Sequence, residues 1–304
     1  MSRPDVCVVH LVRARNGLAP LKNFLASYER YGAGLDHELL FILKGFTSEK
    51  IDEELERQLA RFKHHRLFVA DWGYDITAYF KAGRRFDYSY FMFTNSYSEI
   101  LADDWLLKLY RALLPEHVGL AGTTGSYNGY HADERSMSRR RRESVANRGA
   151  LKKAILQLPG VEFLNECKRL FLYPRFPNPH LRSNGFIVRR ATMMRLHPQI
   201  TPTKFQAYRF EYGSRSMTNQ ILRMGKEVVV VGKNGKCYDI VEWRGSQTFW
   251  EAAQGNLLVS DNQTRRYQAA NEDTRKVFTW YAWGSDGLRH QTTDEIAQSA
   301  NVFP

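Results

Sequence analysis

The chain has 304 residues, 43% of them hydrophobic, and a formal net charge of +12. That length allows one large α/β domain with a sizeable core, and no run of about 18 apolar residues occurs, so no transmembrane helix is expected. The positive excess favours polyanionic partners such as phosphorylated substrates, anionic lipid headgroups or nucleic acid.

The polar start, Met1 to Asp5, runs straight into an apolar stretch and lacks the pattern of a secretory signal. Val6 to Val12 reads as a buried strand, and Ala19 to Tyr31 as a helix with apolar residues at helical spacing. Glu38 to Leu43 is a second strand. Ser48 to Phe62 is a charged helix with Ser48 as its N-cap. Arg66 to Ala70 is a third strand, Ile76 to Ala82 a short helix, and Tyr88 to Phe93 a fourth strand. Such alternation predicts right-handed βαβ units, hence an α/β fold with a mostly parallel central sheet. The fourth strand stops abruptly at Thr94-Asn95-Ser96. Ligands of open α/β sheets bind at strand carboxyl ends, so this stop marks a candidate site.

Asp103 to Leu114 reads as a helix with Asp103 and Asp104 in its first turn, where the macrodipole favours acids. Val118 to Ala121 is a strand, followed by the Gly-rich turn Gly122 to Ser126. Tyr127 to Arg148 is polar, aperiodic and basic, with Arg139 to Arg142 at its centre and Lys152 and Lys153 beyond. It reads either as a solvated loop or as an attachment to an anionic membrane surface, where each basic residue contributes about 1 kcal/mol. Aromatic residues do not interleave with these arginines, so nucleic acid is not an expected partner. Leu151 to Leu172 is helical but interrupted at Pro159-Gly160. Arg182 to Val188 is a strand, Ala191 to Leu196 and Ser214 to Met224 are helices, and Val228 to Val231 is a last buried strand. The Trp-, Asn- and Gln-rich tail holds a helix at Thr274 to Trp283. Cys7, Cys167 and Cys237 are odd in number and widely spaced, which predicts inert thiols rather than a disulfide framework or a zinc site.

Four segments, in order and spacing, resemble the GT-A glycosyltransferases, particularly the large inverting family 2. They are Val6 to Val12 with Ala14-Arg15-Asn16-Gly17, Trp72-Gly73-Tyr74-Asp75, Tyr90 to Ser96 with Asp104-Trp105-Leu106, and Phe210-Glu211 with Gln220 to Lys226. Asn95-Ser96-Tyr97, Phe176 to Phe186 and Asp261-Asn262-Gln263-Thr264 also resemble segments of a group of bacterial glycosyltransferase-like proteins. The resemblance implies a GT-A-like domain over residues 1–240, a C-terminal extension over 241–304, and a cytoplasmic enzyme, peripheral on the inner face of the membrane if the basic run attaches there. The expected partners are a nucleotide-sugar donor and a hydroxyl of a cell-surface glycan or lipid-linked acceptor.

By this resemblance His10, Val12, Arg15 and Asn16 line the nucleoside pocket. Asp75 contacts base or ribose, for which a carboxylate suits because it accepts from hydroxyl and ring N–H groups. Thr94, Asn95 and Ser96 occupy the position of the DxD motif that holds a divalent cation, Mn or Mg. Asn95 and Ser96 supply oxygens but no charge. Either they hold the metal weakly, or cationic side chains replace it, with Arg182, Arg215 and Lys226 as candidates. His180, Arg182 and Asn184, in a loop stiffened by Pro177 and Pro179, are assigned to the diphosphate or the acceptor. Glu211 takes the general base's place, although the family's Glu-Asp reads Glu-Tyr here. The competing readings are a nucleotidyltransferase and a non-catalytic nucleotide- or sugar-binding relative.

Overall fold

All residues of β1, Val6–Arg13, are buried except the half-buried Arg13, as a central strand covered on both faces requires. Its side chains divide with period two: Cys7, Val9 and Leu11 enter one core, and Val6, Val8 and Val12 the other. The structure, a computed structural model, describes residues 5–47, 51–128, 172–198 and 204–284. The basic run 139–142, Ser48, Cys167 and nearly all of the helix expected over 151–172 lie outside the described residues.

The described strands of the main sheet number eight. They are β1, β2 (Glu38–Lys44), β3 (His65–Val69), β4 (Tyr90–Thr94), β6 (Val118–Gly122), β9 (Gly185–Arg189), β10 (Glu227–Val231) and β11 (Cys237–Tyr238), in the order β11-β10-β6-β9-β4-β1-β2-β3. Pairing is parallel from β3 through β2 and β1 to β4, and again between β6 and β10. The strand expected at Arg182 to Val188 is β9, and it enters antiparallel between β4 and β6. Its amino end therefore lies beside the carboxyl ends of its neighbours. Two small ladders complete the pairing: β5 (Glu99–Ile100) with β12 (Val259–Ser260), and β7 (Gly125–Ser126) with β8 (His180–Leu181).

Helices cover both faces. On one lie α1 (Ala19–Arg30), α2 (Glu53–Leu59) and α4 (Trp105–Leu113), through Phe24, Leu55 and Trp105 among others. On the other lie α3 (Asp75–Arg85), α5 (Arg190–Met194) and α7 (Met217–Arg223), with Phe210 of α6 (Lys204–Tyr212). The mostly parallel α/β architecture expected from the sequence is thus observed. Among the described residues no helix is long and apolar enough to cross a membrane.

Several local expectations change. Helix α2 starts late, capped by Asp52, whose carboxylate accepts from Leu55 N. Asp103 and Asp104 precede α4 rather than occupying its first turn. Asp104 adopts a left-handed conformation, and Asp103 accepts from the Gly32 amide at 2.8 Å. Helices α6 and α8 (Asn262–Ala269) were not anticipated, because neither shows a clean apolar stripe. Three of the tail's four indoles are occupied structurally: Trp243 Nε1 donates to Tyr238 O, Trp250 Nε1 to Gln263 O, and Trp283 Nε1, from α9 (Glu272–Trp283), to Phe249 O. Gly125 is required by this packing, since a Cβ there would lie 2.3 Å from the Trp243 ring. Cys7 is buried. Cys237 is exposed, and partial burial with Asp239 nearby pushes its pKa up.

Candidate active site

The carboxyl ends of β1, β2, β3 and β4, and the amino end of β9, form one rim, and polar side chains gather on it in two groups. The first stands over β1 to β3. Arg13 Nε, at the end of β1, donates to Asp71 Oδ1 at 2.7 Å, and Arg15 lies 3.9 Å from the other oxygen. Partial burial works against Asp71, yet Arg13 holds its carboxyl below the usual range. Lys44 closes β2 and is almost fully buried, with its ammonium donating to Gly73 O. Burial pushes Lys44 down, and the nearby Asp75 opposes this. Asp75 opens α3, half-buried; burial raises its carboxyl, against the charges of Lys44 and Arg13. Trp72 is 53% exposed beside this group, an uncommon state for an indole.

One helical turn after Asp75, Tyr79 packs on Phe93 of β4 at 4.7 Å and on Phe186 of β9 at 6.0 Å. Its buried hydroxyl has no hydrogen-bond partner among the described residues. Burial, with the fields of Asp75 and Glu211, pushes the phenol well up.

The second group surrounds the end of β4. The Thr94 hydroxyl donates to Val9 O at 3.2 Å, so it accepts from His10 Nδ1 at 3.0 Å. His10 therefore carries its proton on Nδ1. Its ring is fully buried, stacks on Phe24 at 3.6 Å, and is pulled down to about 3 by burial. His10 and Val12 thus lie within the sheet, behind the rim, because their positions in β1 face the covering helices. Arg15 is exposed and Asn16 half-buried, both on the rim. Asn95 forms a closed turn: its Oδ1 accepts from Tyr97 N at 2.9 Å and lies 3.1 Å from Ser98 Oγ. Ser96 is buried. Ser98 Oγ also lies 2.6 Å from Asn184 O.

Asn184, buried before β9, ties this turn to the end of β6 by accepting from the Thr124 hydroxyl through Oδ1. Thr124 O accepts from Arg182 N at 3.0 Å, and Thr124 Oγ1 lies 3.5 Å from Arg182 Nη1. Arg182 Nη2 donates to Asp261 Oδ2 at 2.8 Å, and its guanidinium lies 4.1 Å over the Phe249 ring. Ser183 Oγ donates to Glu211 Oε1 at 2.7 Å, which brings the half-buried Glu211 to the same rim although it sits near the end of α6. His180 is buried in β8, with Nδ1 2.9 Å from Asn178 O, and burial pulls it down to about 4.

Arg182, Asn184 and Glu211 are thus brought together. Arg215 is exposed just ahead of α7. Lys226 is not part of the rim: its ammonium donates to Glu116 O at 2.6 Å, at the amino edge of β10 and the opposite end of the sheet. Lys44, Asp71, Thr124, Ser183 and Asp261 were not singled out as site residues. Lys44 had a visible signal, a cation closing an otherwise apolar strand. Thr124 and Ser183 had none, since their role comes from partners about 60 and 28 positions away in sequence.

No family model and no curated protein sequence matches the chain. Among solved structures it is similar to the mannosyltransferase PcManGT from Pyrobaculum calidifontis, described in complex with GDP-Man and Mn2+, at 12% identity and TM-score 0.44, over 98% of this chain and 69% of that one. It is also similar to glucosyl-3-phosphoglycerate synthase from Mycobacterium tuberculosis (15% identity, TM-score 0.35, 62% of this chain and 56% of that one). A third is TarS of S. aureus (14% identity, TM-score 0.30, 38% and 21%). At these TM-scores the likeness carries no functional weight.

Proposed function

We propose that the chain is a GT-A-type glycosyltransferase that moves a sugar from a nucleotide-sugar donor to an acceptor hydroxyl with inversion, Glu211 serving as general base. The observation that carries this reading is the shared rim. A carboxylate oriented by Ser183 stands on it next to an arginine, and the Arg13–Lys44–Asp71–Asp75 group stands across the end of β4. The Arg13–Lys44–Asp71–Asp75 group suits a nucleoside, with Asp75 as acceptor and Arg13, Arg15 and Asn16 as donors to ribose, base or α-phosphate. The diphosphate then lies over the Asn95 turn near Arg182. In the reaction the acceptor oxygen bonds to the anomeric carbon. The bond from that carbon to the diphosphate oxygen breaks with its electron pair going to the diphosphate, and the acceptor proton passes to Glu211. Ser183 fixes the carboxylate's orientation, which proton transfer in the transition state requires. The acceptor class in this reading is a cell-surface glycan or lipid-linked precursor, handled at the cytoplasmic face of the membrane through Arg139 to Arg142.

One observation favours a second reading, a non-catalytic nucleotide-binding relative: the Asn95 turn carries no carboxylate. Thermal shifts with UDP, GDP, dTDP, ADP and CMP test nucleotide binding, because a ligand at a hundred times its Kd stabilises a fold by about 2.7 kcal/mol. Turnover of the matching nucleotide-sugar then separates the two readings. Glu211→Gln is expected to lower kcat by about 10²–10⁴-fold while leaving the nucleotide shift unchanged. Undiminished turnover refutes the base assignment.

A further inference from the structure

The rim is badly suited to a divalent cation. Asn95 Oδ1 already accepts from the Tyr97 amide and faces the Ser98 hydroxyl, Thr94 is committed to Val9 and His10, and Ser96 is buried. The topology brings two carboxylates beside the turn: Glu99 in β5, and Asp261, which follows the paired strand β12. Each is held by an arginine, Glu99 by Arg265 at 3.0 Å and Asp261 by Arg182 at 2.8 Å. Among the described residues no cluster of three or more His, Cys, Asp or Glu that could hold a metal ion occurs. Magnesium and manganese need several hard, preferably anionic oxygens; both oxygens of Asp261 are committed and Glu99 is ion-paired through Oε1, so the single free carboxylate oxygen beside the turn falls short of such a set.

Arg182 stands in the corresponding place with an unusually rigid mount. Phe249 supports one face of its guanidinium, and Asp261 and Thr124 fix two of its donor positions. Asp261 does not cancel this charge fully. Its other oxygen accepts from the amides of Gln263 and Thr264 and caps α8, so part of the carboxylate's field falls on the positive end of that helix. A planar guanidinium with spare N–H groups matches two phosphate oxygens better than an ammonium does.

We infer that this protein binds the diphosphate of its donor without a divalent cation, the charge being met by Arg182, which Asp261, Phe249 and Thr124 hold in position. This rests on the transferase reading above and replaces the weakly held metal with a fixed side chain. Arg182 is the binding residue and Asp261 its positioning residue.

The test compares UDP and GDP with uridine and guanosine, by thermal shift and calorimetry, on protein treated with EDTA and on protein supplied with MnCl2. The expected result is a nucleoside diphosphate whose affinity is the same in both conditions. Arg182→Met is expected to weaken that diphosphate at least tenfold in EDTA and leave the matching nucleoside unchanged. Asp261→Asn is expected to act in the same selective way, which a merely structural defect would not do. A diphosphate that binds the unmodified protein only with Mn2+ overturns the inference and leaves the transferase reading standing, whether or not the variants fold. A folded Arg182→Met that binds the diphosphate in EDTA as tightly as the parent does the same. If neither nucleosides nor diphosphates bind in either condition, the transferase reading falls and the inference with it.

Discussion

Replacing Asp261 with asparagine isolates the charge of the mount, because asparagine retains an oxygen to accept from Gln263 and Thr264 and so preserves the helix cap. What is lost is the ionised partner of Arg182. Asp261 is 1% exposed, and breaking a buried pair by removing one partner costs about 3–5 kcal/mol. The Arg182 side chain is 16% exposed and still stacks on Phe249, so its stranded charge finds some compensation and the lower end, about 3 kcal/mol, applies. At about 2–4 °C per kcal/mol, Tm falls by about 6–12 °C. The pH dependence gives a second check. Burial raises the Asp261 carboxyl, but Arg182 and Thr264 outweigh it, and the net shift is downward from 3.8. A depressed carboxylate pKa means the stabilisation is complete above the unfolded-state pKa and is lost only as pH falls through the folded one. The Tm difference between parent and Asp261→Asn should therefore stay constant from pH 8 to pH 5 in thermal denaturation. A difference that grows as the pH falls across that interval would show a raised carboxyl, with desolvation prevailing over Arg182, and the reasoning behind the mount would fail.

Tyr79→Phe removes a buried hydroxyl with no partner among the described residues, an arrangement that costs about 1–3 kcal/mol, so the variant should have an equal or higher Tm; a fall would show an unseen partner. Gly125→Ala places a Cβ 2.3 Å from the Trp243 ring and should destabilise by about 1–3 kcal/mol, read from the denaturant midpoint; a neutral result would mean the tail is not packed there.

The strand and helix positions of the first hundred residues were legible because the signals are local. A run apolar but for His10, such as Val6 to Val12, admits little but a doubly covered strand, and the abrupt stop at Thr94-Asn95-Ser96 marks a strand end whatever the fold around it. The antiparallel sense of β9 was not legible. The segment reads as apolar and buried in either direction, and only its pairing with both β4 and β6 sets the sense. His10, which the family resemblance assigned to the nucleoside pocket, stacks on Phe24 and bonds to Thr94 within the core. Asp261 caps a helix. Its second oxygen has a role that the local sequence does not record.

Composition, apolar runs and their polar stops were enough to determine an α/β chain with polar strand ends, because each of those features depends on neighbours a few residues apart. Only the tertiary structure decided which charges meet on that rim. Glu211 reaches Ser183 across 28 residues, Arg182 reaches Asp261 across 79, and Lys226 lies at the far end of the sheet. Charge pairing acts over a few ångströms of space, and separation along the chain does not predict that distance.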